Sequence, residues 1–170
     1  MNIIGNINNG YVLPIWFDDI YQCIEFLKSK SQKNYLYFFE IDDKYFKLGF
    51  SDNIIKRLNT HKSKLKDRIG KIGIIGNIAY AKYIENCYLG SFYEIPEFND
   101  DTHVYDYETF LKPYDFKTTI EYATILITQR YRDNFNDCLH IGIKNMGFNI
   151  FLPNENDNPI AIANFISQSI

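Results

Sequence analysis

The stretch YLYFFEIDDKYFKLGFSDNIIKRLNTH, residues 35–61, spaces Tyr37, Lys47, Arg57 and His61 along one short piece of chain. Arg57 and His61 stand four residues apart, so on a helix they share a face. A guanidinium is a forked donor suited to phosphate oxygens, and an imidazole changes charge near neutral pH. A tyrosine phenol titrates near pH ~10, but a cation beside it favours the phenolate. Lys47, across a hairpin from the Tyr37 strand, would be such a cation. From Lys56 to Lys71 the residues Lys56, Arg57, Lys62, Lys64, Lys66, Arg68 and Lys71 are opposed only by Asp67. A local basic block attracts phosphate even when, as here, the net charge is −3. The chemistry within reach is that of a phosphate ester.

These side chains need elements to hold them. Tyr35–Ile41 reads as a strand, Asp42-Asp43-Lys44 as a hairpin turn and Tyr45–Phe50 as the partner strand. Ser51 or Asp52 can cap a following helix that turns Ile54, Ile55 and Leu58 inward. Upstream, DDIYQCIEFLKSK spaces Ile20, Cys23, Ile24 and Leu27 as a helix. Downstream, glycines 70, 73 and 76 loosen the chain, residues 78–87 read as a short helix and 103–111 as a third strand. Thr118 opens a helix to about Arg132 with a stripe of Ile120, Ala123, Ile127 and Tyr131. A loop or short helix leads to GFNIFLP at 147–153, and a terminal helix docking from the tail completes the expectation. The fold class is α+β: a small three-stranded antiparallel sheet flanked by helices.

The composition sets bounds. A chain of 170 residues that is 46% hydrophobic has material for one well-packed domain and is not a disordered segment. Its three cysteines, Cys23, Cys87 and Cys138, are scattered without a CxxC pair, which argues against a disulfide frame or zinc site. The start MNIIGNINNG lacks a basic-then-apolar order, and no apolar run is long enough to cross a bilayer. A soluble cytoplasmic protein is expected, with no membrane partner.

Each chemical reading has an ordinary rival. Tyr37 fits an aromatic core, Arg57 and the lysines fit a solvated helix face, and His61 fits a passive place near a helix end. Gly49 fits a plain strand end. Thr118-Thr119-Ile120-Glu121 has capping-box spacing, which would tie Glu121 to its own helix start. Asn149 after Gly147 fits a turn.

The combination of residues, however, resembles the GIY-YIG nuclease superfamily. Tyr35-Leu36-Tyr37 stands where the GIY triplet would be, with Tyr35 in place of its glycine, and Lys47-Leu48-Gly49 stands where YIG would be. Arg57 follows Gly49 by eight residues and His61 follows by four more. Glu121 resembles the metal-binding glutamate of the family's later helix, with Glu85 as its rival, and Asn149 resembles the closing asparagine. The resemblance covers residues 34–152, with an insertion at about 62–102, an N-terminal arm at 1–33 and a C-terminal tail at 153–170. Lys47 in place of tyrosine is read as a variant of the pattern.

The resemblance implies an endonuclease that hydrolyses DNA phosphodiester bonds with Mg²⁺ or Mn²⁺. Tyr37 would be the general base with Lys47 beside it, and Arg57 would hold the phosphate. His61 would position water or share the proton, Glu121 would hold the metal, and Asn149 would orient Glu121 or the phosphate. Lys56, Lys62, Lys64, Lys66 and Arg68 would guide the backbone of double-stranded DNA. The small size suits a restriction-type enzyme, acting as a homodimer if both strands are cut. The rival class is a catalytically inactive relative that binds nucleic acid or protein, such as an accessory protein of a virus or phage.

Overall fold

The computed structural model describes residues 3–8, 11–78, 81–93 and 108–133. In chain order these form β1 (Asn6–Asn8), β2 (Tyr11–Leu13), β3 (Ile15–Phe17), α1 (Ile20–Leu27), β4 (Tyr35–Ile41), β5 (Tyr45–Ser51), α2 (Ile54–Leu65), β6 (Ile69–Ile75), α3 (Ala81–Tyr93), β7 (Thr109–Leu111) and α4 (Phe116–Asp133). The architecture is α+β, as expected, but the main sheet has five strands, in the order β3-β6-β4-β5-β7, where three were expected. All its pairings are antiparallel.

The β4–β5 hairpin is the frame for the site. Asp42 and Asp43 both take positive φ, 56° and 54°, and the Lys44 N–H donates to Ile41 O at 3.1 Å. Two consecutive left-handed residues match the right-handed twist of the flanking strands, and aspartate tolerates that conformation. The turn fixes the register, so Tyr37 lies opposite Gly49 and Phe39 opposite Lys47. Alternation then sends Tyr35, Tyr37, Phe39 and Ile41 to one face, against α1 and α2, and Leu36 and Phe38 to the other, against α3 and α4.

The expected core positions of α1, Ile20, Cys23, Ile24 and Leu27, are all buried, and Asp19 caps the helix by accepting from Gln22 N–H at 2.8 Å. On α2 the buried residues are Ile54, Leu58 and His61, and Asn53 is the cap, in place of the expected Ser51 or Asp52. Ile120, Ala123 and Ile127 of α4 are buried as expected. No helix among the described residues is long and apolar enough to cross a membrane.

Two strands of the main sheet, β3 and β6, were not expected. Residues 69–75, expected to fall in an insertion, form β6 between β3 and β4. Gly73 in this strand faces Trp16 of β3, and a Cβ there would come within 2.8 Å of the indole ring, so the glycine is a seat for the tryptophan. Glycines that read as punctuation are therefore a close approach of one strand to a large ring. Of the expected strand at 103–111, the described part is 109–111. The expected pieces at 147–153 and beyond lie outside the described residues.

Burial on the α1 side has a consequence at high pH. Cys23 is pushed from its ordinary 9.0 up to about 12 by burial, and Tyr35 from 10.0 to about 12 by burial and then by Cys23. Both groups hold their protons more tightly in the folded chain, so their contribution is intact below the unfolded values and fades as pH rises toward the folded ones. Urea midpoints at fixed temperature are expected to fall steadily between about pH 9 and 12, and less steeply in Cys23→Ala.

Candidate active site

The first strand of the hairpin and the face of α2 meet over a cleft of about 270 Å³ whose walls include Tyr37, Lys47, Arg57, His61, Lys64 and Glu108. The sequence-selected Tyr37, Lys47, Arg57 and His61 thus line a single cleft. Tyr37 is 2% exposed and its ring stacks on Phe39 at 5.9 Å, so most of it is core. Its hydroxyl lies 2.9 Å from His61 Nε2. The ordinary and the chemical readings of Tyr37 hold together: an anchored ring presents a fixed polar edge.

Gly49 is what allows this. A Cβ at that position would run into the Tyr37 hydroxyl and ring carbon Cζ. The phenol crosses the backbone of β5 where no side chain stands, and so reaches α2. Gly49→Ala is expected to cost about 1–3 kcal/mol through overpacking and to break the Tyr37–His61 contact. Thermal unfolding measures the first effect, and the imidazole resonances of His61 by NMR measure the second.

Arg57 and Lys64 are exposed, and among the described residues neither forms an ion pair. Lys47 is 8% exposed and its Nζ lies 3.1 Å from Glu108 Oε2. Glu108, just before β7, falls inside the segment expected as a third strand, but the sequence assigns it no role, because its place beside Lys47 depends on β7 pairing with β5. Behind it, on α3, Glu85 is 1% exposed, with its carboxylate 3.0 Å from Lys82 Nζ. Burial raises the Glu85 carboxyl above its usual range; Lys82 pulls it down, and the charge of Glu108 pushes it up.

Glu121 stands elsewhere. Its carboxylate accepts from the Trp16 indole N–H at 3.1 Å, and Trp16 packs edge-on against Phe116 at 5.5 Å, on the sheet face opposite Tyr37. It is not among the residues that line the Tyr37 cleft. The expected capping box does not form either: α4 begins two residues earlier, at Phe116, and Asp115 accepts from Thr118 N–H at 3.1 Å. Glu85, the sequence rival, lies on α3, on that same opposite face, and does not line the Tyr37 cleft either; its link to the cleft runs through Glu108, which does. Asn149 lies outside the described residues.

The basic block also divides. Lys64 lines the Tyr37 cleft and Lys56 a neighbouring depression. Lys62 sits over the Tyr21 ring at 5.1 Å, and Arg68 Nε donates to Asp42 at 2.8 Å, which holds the Asp42 carboxyl below its usual range. Lys66 is exposed at the end of α2 with φ 54°. Part of the charge run is therefore locally paired, and part stands open beside the cleft.

Among the described residues no three metal-ligating side chains come together. A divalent ion here would rest on one or two carboxylates, with water and phosphate oxygens completing the shell, as Mg²⁺ commonly does. Glu108 at the cleft wall and the buried Glu85 behind it fit that role: like charges disfavour joint ionisation, and a divalent ion relieves the repulsion. Comparison with protein-family models, curated proteins and solved structures gives no match.

Proposed function

We propose that this chain is a metal-dependent phosphodiester hydrolase of the GIY-YIG kind, acting as an endonuclease on DNA. The observation that carries the reading is the 2.9 Å contact between the Tyr37 hydroxyl and His61 in a cleft that Arg57 also lines. With the His61 proton on Nδ1, the Tyr37 O–H donates to Nε2. As water attacks phosphorus, Oη takes its proton while the phenol proton passes to Nε2, so the new P–O bond forms as the P–O bond to the leaving strand end breaks. Arg57 holds two oxygens of the phosphate through the transition state, where its charge counts most. Lys47, held by Glu108, adds positive charge at the cleft wall. Glu85 and Glu108 would hold the divalent ion, which when bound supplies charge to the phosphate and the leaving oxygen.

A second reading is a non-catalytic nucleic-acid-binding module. The observation favouring it is that the Lys47 ammonium is already paired with Glu108, so less of its charge acts on the phenol. Purified protein with supercoiled plasmid and Mg²⁺ separates the two. Nicked or linear product that chelator abolishes is expected; salt-sensitive binding with no cleavage under Mg²⁺ or Mn²⁺ would establish the second reading.

A further inference from the structure

A second depression, of about 330 Å³, opens beside the Tyr37 cleft and is lined by Ser51, Asp52, Asn53, Lys56, Arg57 and Thr60 over Phe50, two cations against one carboxylate. Arg57 lines both hollows. Lys56 belongs to the second hollow and Lys64 to the first. Among the described residues Lys56, Arg57 and Lys64 form no ion pair, whereas Lys47, Lys82, Lys112 and Arg68 all do. The three cations lining the two hollows are therefore open.

The second hollow is not simply a helix start. The first amides of α2 are already used: Ile54 N–H donates to Gln32 O at 3.1 Å, Ile55 N–H to Gln32 Oε1 at 3.3 Å and Lys56 N–H to Asn53 Oδ1 at 3.3 Å. Its donors are side chains. Ser51, 5% exposed, accepts from Asn53 N–H at 3.0 Å, and among the described residues its own hydroxyl proton goes to no partner. An unused donor in a nearly buried hydroxyl, next to an unpaired ammonium, suits an oxyanion.

Resting on the proposed function, we infer that the second hollow holds another phosphate of the strand whose reacting phosphate lies in the Tyr37 cleft. Lys56, Thr60 and Lys64 stand on successive turns of α2, ~6 Å apart along its axis. The substrate is then an oligonucleotide strand laid along α2, held at a second phosphate by Lys56 and Ser51, and an isolated diester would be a poor substrate.

Binding tests this without requiring cleavage. Affinity of the full chain for a short labelled DNA duplex, in chelator, is measured across a salt series for the wild type, Lys56→Ala, Ser51→Ala, Lys64→Ala and, as a control, Lys117→Ala on α4. Lys56→Ala is expected to lower the salt slope by about 1, while Lys117→Ala leaves it unchanged. Single neutral methylphosphonate linkages then locate each contact. The linkage that weakens the wild type but not Lys56→Ala should be shared by Ser51→Ala and lie within two linkages, on the same strand, of the one found with Lys64→Ala. An unchanged slope in Lys56→Ala, or linkages on opposite strands, would overturn the inference. If plasmid is never cut yet the linkages map as expected, the hydrolase reading fails and the phosphate track stands.

Discussion

Tyr37→Phe should cut DNA about 10²- to 10⁴-fold more slowly than the wild type, the range expected when a general base is removed. The substitution deletes a single oxygen and leaves the ring in its place against Phe39. Stability should drop by only about 1 kcal/mol, the ordinary worth of one buried hydrogen bond. That separation matters because Tyr37 is nearly buried, and a larger change would damage the core as well as the site. Single-turnover cleavage at saturating enzyme isolates the chemical step from binding. A rate within threefold of the wild type, with the same melting temperature, would remove Tyr37 from the mechanism and leave the contact with His61 as packing alone. The pH profile adds a second readout: if Tyr37 and His61 share the proton, the rising limb of the wild-type profile should be absent from the residual rate of Tyr37→Phe.

The parts legible in the sequence were those fixed by neighbours along the chain. The hairpin announced itself through a dipeptide that accepts positive φ between two aromatic strands, and its register placed Tyr37 opposite Gly49. The helix that follows set Arg57 and His61 on one face by spacing alone. What stayed hidden depends on contacts between distant segments. β3 is three residues long behind a proline, and nothing local distinguishes it from a loop until β6 pairs with it. β6 was concealed by Gly70, Gly73 and Gly76, because the meaning of Gly73 lies in the Trp16 ring it seats. Glu108 became visible only when β7 closed the sheet edge beside Lys47.

The same limit explains the two glutamates, and it leads to the other large expected effect. Glu121 sits in a segment with strong local signals, a helix start and a capping pattern. Those signals say how a helix begins, not which part of the sheet its side chains meet. The fold sets Glu121 under Trp16 and links Glu85 to the cleft through Glu108 and Lys47. Glu85→Gln is therefore expected to lower Mg²⁺-dependent cleavage by at least about 10²-fold, the scale on which loss of one group that stabilises developing charge is felt. Glu121→Gln should stay within about threefold of the wild type, since an amide oxygen can still accept from the indole. Mg²⁺ titration followed by thermal unfolding gives a readout apart from turnover: a ligand that binds only the folded state raises its melting temperature with concentration. That rise should appear in the wild type and Glu121→Gln and vanish in Glu85→Gln. Without metal the order reverses for Glu85, because a neutral amide no longer carries the cost of an ionised carboxyl in a buried place. Glu85→Gln should then melt at or above the wild type at neutral pH. Loss of the Mg²⁺ response in Glu121→Gln, with Glu85→Gln unaffected, would place the metal beside Trp16 and detach it from the Tyr37 cleft.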